Sequence, residues 1–302
     1  MYKRQYINSI SIEDYLTGQA QPKLNKANLN KIPIPLPKNP KEQQKIANCL
    51  WSLDNVITSE TEKLTHLKEH KKGLLQQLFP AKGKTKPQLR FPEFKNDGDW
   101  KEKTIDDIKS IVTDYVANGS FASLKENVQI QDSKDYSYYI RLTDLRAGLG
   151  HNNQRYATKK TYDFLNKSSL FGGELLMANI GANVGEVWQM PRVNYPATLA
   201  PNMIMVKFKE KIVDEFIFYF LTSGLGKENI SVTIAGNAHP KINKTEFKQV
   251  KVVLPKNEIE QQKIANCLSS ADDLIEAQTN KIKNLKAHKK GLMQQLLSLI
   301  HI

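Results

Sequence analysis

The sequence predicts an α+β protein: one globular domain carried between two long helices that are expected to pair as an antiparallel coiled coil. Three observations point this way. The stretch Gln43–Phe79 returns as Gln261–Leu297 at a constant offset of 218 with no gap, and 23 of its 37 positions are identical. In both copies the apolar residues step alternately by four and three, the spacing of a coiled-coil seam. Between the copies, strand-like apolar runs mix with a helix-like one, the pattern of an α+β domain.

In chain order the expected parts are a lead over 1–38, a first long helix over 39–80, a linker over 81–87, a globular domain over 88–255 and a second long helix over 256–302. An offset of 218 is far too long for a solenoid, so each repeated unit is a domain followed by a shared helix. The similarity also reaches upstream, where Gly18–Asn39 recurs as Gly236–Asn257. By this offset the lead matches only the end of the globular domain and is expected to be the C-terminal remnant of a first such domain.

The seam of the first helix runs Ile46, Leu50, Leu53, Ile57, Glu60, Leu64, Leu67, Lys71, Leu74 and Leu78. That of the second runs Ile264, Leu268, Ala271, Ile275, Gln278, Ile282, Leu285, Lys289, Leu292 and Leu296. About 38 residues at ~1.5 Å each make a rod of about 57 Å. A pseudo-twofold pairing that gives each polar seam residue a polar partner sets Glu60 against Lys289 and Lys71 against Gln278. Leu64 then faces Leu285. The linker, within Pro80–Pro87, is rich in Lys, Gly and Pro and reads as exposed. In the globular domain, YYIRL from Tyr138, ELLMANI from Glu174, GEVWQM from Gly185 and MIMVKF from Met203 read as strands, and Asp214–Thr222 as a helix.

Composition narrows the function. The chain has 302 residues and a formal charge of +13, with 40% hydrophobic residues, enough for a core, and it is expected to attract nucleic acid. No apolar run approaches membrane-spanning length and the N-terminal stretch lacks a signal-peptide core, so no membrane role and a cytoplasmic location are expected. Cys49 and Cys267 occupy the same repeat position outside any CxxC spacing, which reads as two inert thiols. Dinucleotide, phosphate-loop, zinc-protease and nucleophile-elbow motifs are missing, and no catalytic residue or metal site is expected. His66 and His70 lie one turn apart, but the second copy has Asn284 in place of His66, so they read as a solvated helix face.

Divided by segment, the charge is +8 over 1–87, +3 over 88–255 and +2 over 256–302. The globular domain nevertheless holds a basic, amide-rich and aromatic run from Tyr138 to Lys160. Within it Arg141, Arg146, Asn152, Asn153, Gln154, Arg155, Lys159 and Lys160 are the candidate DNA contacts. Arg pairs with guanine edges, Asn and Gln with adenine edges, and Lys with phosphate. Asn183, in the GANVGE turn with Asn179 and Trp188 nearby, is a further candidate. Lys241, in GNAHPKINK with Asn237, His239 and Lys244, is expected to touch backbone phosphate if it touches DNA.

A shared LPKNxxEQQKIANCL helix appearing twice, with LRFPEF at Leu89–Phe94 opening the globular domain, resembles the specificity subunit of type I restriction–modification systems. GGELLMANIGANVGEV and ATLAPNMIMVKF are similar to that family's target-recognition domains. The resemblance implies sequence-specific binding of double-stranded DNA by the globular domain, with the helices acting as spacer and docking surface for two modification subunits. Restriction subunits join that core. S-adenosylmethionine, ATP and Mg would belong to those partners, and this chain would be non-catalytic. The family carries two recognition domains and this sequence shows one. The chain is therefore expected to act as a half subunit that pairs with a second copy of itself, to be completed by a separately encoded N-terminal half, or to be a non-functional fragment. A coiled-coil adaptor without DNA recognition is the rival from another class.

Overall fold

The structure is a computed structural model and describes residues 7, 10–18, 21–34, 37–234 and 240–298. Asn237 and His239 lie outside these residues. The chain divides into two compact units, residues 1–70 with 271–302 and residues 71–270.

A one-turn helix α1 (Lys26–Leu29) precedes the long helix α2 (Pro40–Leu78), most of which lies in the first unit together with the later part of a second long helix, α10 (Glu258–Ser298). The two long helices run antiparallel here. Gln278 Nε2 donates to the Glu60 side chain at 2.6 Å, Lys281 Nζ to its other oxygen at 2.5 Å, and Lys289 Nζ to Asp54 at 2.5 Å. Ile46, Ala47, Leu50 and Met293 form a small core, with Ile34, Leu292 and Leu296 packed on it. The coiled-coil expectation therefore holds, but its register changes. Glu60 meets Gln278, its own repeat equivalent, and not Lys289, a slip of about three turns. Lys71, expected opposite Gln278, lies over the Tyr219 ring at 5.3 Å in the second unit. Symmetric pairing of equivalent positions satisfies polar seam residues in several registers, so polarity alone does not select one.

Every seam position of both helices is buried or half-buried. The stripe nevertheless serves two cores, because Leu78, Ile264 and Leu268 belong to the main core of the second unit. The repeat is structural as well as textual. Asn25 and Asn243 each cap a short helix by accepting from the backbone three residues on, Asn28 at 2.8 Å and Glu246 at 2.9 Å. Gln43 and Gln261 reach back to the carbonyls of Pro37 and Pro255 at 2.8 and 3.2 Å.

Among the described residues, the second unit contains three sheets. Strands β1 (Lys101–Thr104) and β11 (Lys251–Leu254) form an antiparallel pair. The central sheet has the order β2-β10-β7-β8, built from β2 (Lys109–Asp114), β7 (Leu175–Ala178), β8 (Val187–Gln189) and β10 (Met203–Phe208), all antiparallel. The outer sheet has the order β3-β5-β4-β9-β6, from β3 (Ile130–Gln131), β4 (Ser137–Ile140), β5 (Tyr156–Ala157), β6 (Ser169–Leu170) and β9 (Ala197–Leu199), with β4 and β9 parallel.

The unbroken apolar run of β7 is explained by burial on both faces. Leu175 and Met177 point into the main core while Leu176 points into a second core shared with the outer sheet. In β10, Ile204 and Val206 face the first and Met203 and Met205 the second. The side-chain period of two in a strand makes this division automatic. Short helices α3 (Ile105–Ile108), α4 (Phe121–Asn127), α5 (Leu142–Ala147) and α6 (Lys159–Phe164) punctuate the strands, followed by α7 (Asp214–Thr222), α8 (Gly224–Ile234) and α9 (Lys244–Lys248). Helix α7 covers the central sheet, and its Phe216 and Phe220 pack edge-on against Phe79 at 5.3 and 5.7 Å.

One buried ion pair closes this core. Arg90 Nε and Nη2 donate to the two oxygens of Glu260 at 2.7 and 2.8 Å, and Trp100 Nε1 adds a third bond at 3.1 Å. The glutamate side chain is 0% exposed and the arginine 9%. Glu260 opens α10, and Arg90 belongs to LRFPEF, so two sequence signatures 170 residues apart are one contact.

Candidate nucleic-acid interface

Three segments distant in sequence meet in the second unit. The first runs from Arg141 through α5 and the loop Gly148–Arg155, the second is the turn Ile180–Glu186 between β7 and β8, and the third begins at Pro240. Arg146 Nη2 donates to Asn183 Oδ1 at 2.8 Å and its Nε to Glu186 Oε1 at 3.0 Å, tying the first to the second. Gly181 N donates to the Pro240 carbonyl at 3.2 Å, and Ile180 and Lys241 form an isolated bridge, tying the second to the third. The turn needs Gly185 at φ 85°, where a Cβ would fall 2.9 Å from Ile230. Arg141, Arg146, Asn152, Asn153, Gln154, Arg155, Asn183 and Lys241 thus lie on connected segments. Lys159 and Lys160 sit apart on α6, where Lys159 pairs with Asp163 at 2.7 Å and lies over the Tyr136 ring.

Most cations of the run already have a carboxylate. Arg141 Nη2 pairs with Asp144 at 2.7 Å, Arg146 with Glu186, and Arg155 with Asp132. Lys244 holds Asp114 at 2.8 Å. Asp144 is 0% exposed. Burial pushes its carboxyl up, but hydrogen bonds from Arg141 and His151 outweigh this and hold it below the usual carboxylate range. The bond from Arg146 holds the Glu186 carboxyl down against partial burial, with help from Trp188 Nε1 at 2.8 Å.

One expected contact turns inward. Gln154 is 1% exposed; its Oε1 accepts from Gly150 N and its Nε2 donates to the Arg155 carbonyl, so it braces the loop and has no face for a base. The aromatics are likewise structural. Tyr139 is buried, and Tyr138 packs on Tyr156 and Tyr195 with ring centroids 5.5 and 4.7 Å apart. Asn152 and Asn153 are exposed at the loop tip. Asp144, Glu186 and Asp132 are the site residues that pattern reading missed. Asp144 had a local signal, standing three after Arg141 at a helix start, whereas Glu186 is 40 residues from Arg146.

A family described as the type I restriction modification DNA specificity domain matches residues 3–69 and 97–287. The chain belongs to this family. Among specificity subunits, it is 28% identical over 306 residues to that of the MjaVIII type I restriction enzyme of Methanocaldococcus jannaschii, covering 95% of this chain and 67% of that one. It is 26% identical to the putative MjaX specificity subunit of the same organism, covering 99% and 66%. The chain thus spans about two thirds of the length of these curated relatives. The fold resembles the crystal structure of the type I S subunit from M. genitalium, with TM-score 0.63 at 15% identity over 98% of this chain and 72% of that one. It also resembles the specificity subunit from Thermoanaerobacter tengcongensis, with TM-score 0.53 at 14% identity over 97% and 69%.

Specificity subunits are non-catalytic. Among the described residues, no three His, Cys, Asp or Glu side chains gather to hold a metal, and no helix is long and apolar enough to cross a membrane.

Proposed function

We propose that this chain is a DNA-sequence-recognition subunit that directs the modification and restriction subunits of a type I complex to their target. The family match carries this reading, because it runs through both the globular domain and the two helices. The cluster of Arg146, Asn152, Asn153, Asn183 and Lys241 supplies the donor and acceptor types that base edges and phosphates require. In this reading α2 and α10 act as spacer and docking surface for two modification subunits, through seam residues such as Ile57, Leu64, Ile275, Ile282 and Leu285 and the faces beside them. S-adenosylmethionine serves adenine methylation in those subunits, and ATP with Mg serves the restriction subunits.

The test is to co-express the chain with its modification subunit and map methylated adenines across a genome. A palindromic interrupted motif supports pairing of two copies. A motif that appears only with an added N-terminal half supports complementation. A soluble, assembled complex that methylates no sequence refutes the reading.

A further inference from the structure

The loop Gly148–Arg155 is held more firmly than a turn requires. Gly148 and Gly150, at φ 84° and 82°, already allow the chain to reverse, and Gln154 staples Gly150. Beyond that, buried Asp144 accepts four hydrogen bonds: from Arg141 N at 2.8 Å, Arg141 Nε at 3.0 Å, Arg141 Nη2 at 2.7 Å and His151 Nε2 at 2.9 Å. Both groups it holds converge on the backbone of one residue. Arg141 Nη2 also donates to the Asn153 carbonyl at 2.6 Å, and Asn153 N donates to His151 Nδ1 at 3.2 Å. Since Nδ1 accepts, the imidazole proton sits on Nε2 and points at Asp144.

The backbone of Asn153 is therefore fixed on both sides, while the side chains of Asn152 and Asn153 are exposed and make no hydrogen bond among the described residues. The charged ends nearby, on Arg146 and Arg155, are engaged by carboxylates. What the loop offers to a ligand without breaking an ion pair is a pair of carboxamides. A carboxamide matches the donor–acceptor edge of adenine in the major groove bidentately, and the match discriminates better when the backbone that carries the amide is held in place beforehand.

We propose that Asn152 and Asn153 are specificity-determining residues that read adenine, and that Asp144 is the positioning residue that orients them through Arg141 and His151. This rests on the DNA-reading function proposed above. The experiment uses the full chain co-purified with its modification subunits. Methylation rates are compared at the mapped site and at sites differing by one base pair, and affinity for a random duplex is followed against salt. Asn152→Ala and Asn153→Ala, at exposed side chains that make no hydrogen bond among the described residues, are expected to cut discrimination on the order of 10- to 100-fold at one or two adenine-containing positions. The random-duplex affinity falls far less than the discrimination. Asp144→Asn is expected to lose discrimination at those same positions, and adding Asn153→Ala to it gives no further loss, the non-additivity of residues acting as one device.

A merely structural Asp144 would weaken binding to all sequences alike while leaving base preference intact, which overturns its positioning role. Alanines at the tip that leave discrimination intact overturn the whole proposal while the DNA-reading function stands. A wild-type complex with no site preference removes both.

Discussion

Glu42 and Glu260 occupy the same repeat position and head the two long helices, yet their surroundings differ completely. Glu42 is exposed, whereas Glu260 is fully buried against Arg90 and Trp100. Breaking a buried pair by deleting one member leaves an uncompensated charge, which costs about 3–5 kcal/mol. Arg90→Ala is therefore expected to destabilise by that amount in urea unfolding, while Glu42→Gln stays within about 0.5 kcal/mol. Asp144 makes the same argument through pH. Its folded carboxyl titrates below the unfolded value of about 3.9. Its contribution is thus complete above that pH and is lost as pH falls through the folded value. Asp144→Asn should flatten stability on the acid side below about pH 4, as read by melting temperature across pH. Sequence reading passed over Asp144, although it stands three residues after Arg141 at a helix start, because nothing in the local pattern shows that the fold buries it completely.

At the level of elements, β4, β7, β8, β10 and α7 were legible because each carries a dense apolar run whose period or length marks its type. Strands β1 and β11 were not, since KEKT is all polar and its pairing partner lies about 150 residues away. The helix pair was legible in kind and not in register, because the repeat makes many symmetric alignments equally polar. Cysteines introduced by Glu60→Cys and Gln278→Cys, with Cys49 and Cys267 changed to Ser, are expected to crosslink on mild oxidation. The combination Glu60→Cys with Lys289→Cys should remain reduced. The Glu60 carboxyl, held down chiefly by its bond from Gln278, marks that meeting point electrostatically.

For the whole molecule, the duplication and the helix signature made the family legible. Residue types in the run from Tyr138 to Lys160 singled out amides and arginines as candidates. They could not show that Gln154 and the tyrosines are spent on packing, because that depends on which side of a strand or loop each one leaves. A net +13 also gave no hint that the arginines of the run are matched one for one with carboxylates. That matching has a kinetic consequence. A surface with its charges already answered pulls weakly on distant phosphates, so visits to non-target DNA are expected to be brief and the search to proceed by frequent short sampling. Glu186→Gln, which releases Arg146 but still accepts from Trp188, is expected to steepen the salt dependence of random-duplex binding by about one phosphate contact. In single-molecule recordings the same change should lengthen each visit, leaving a protein that holds DNA longer and finds its site later.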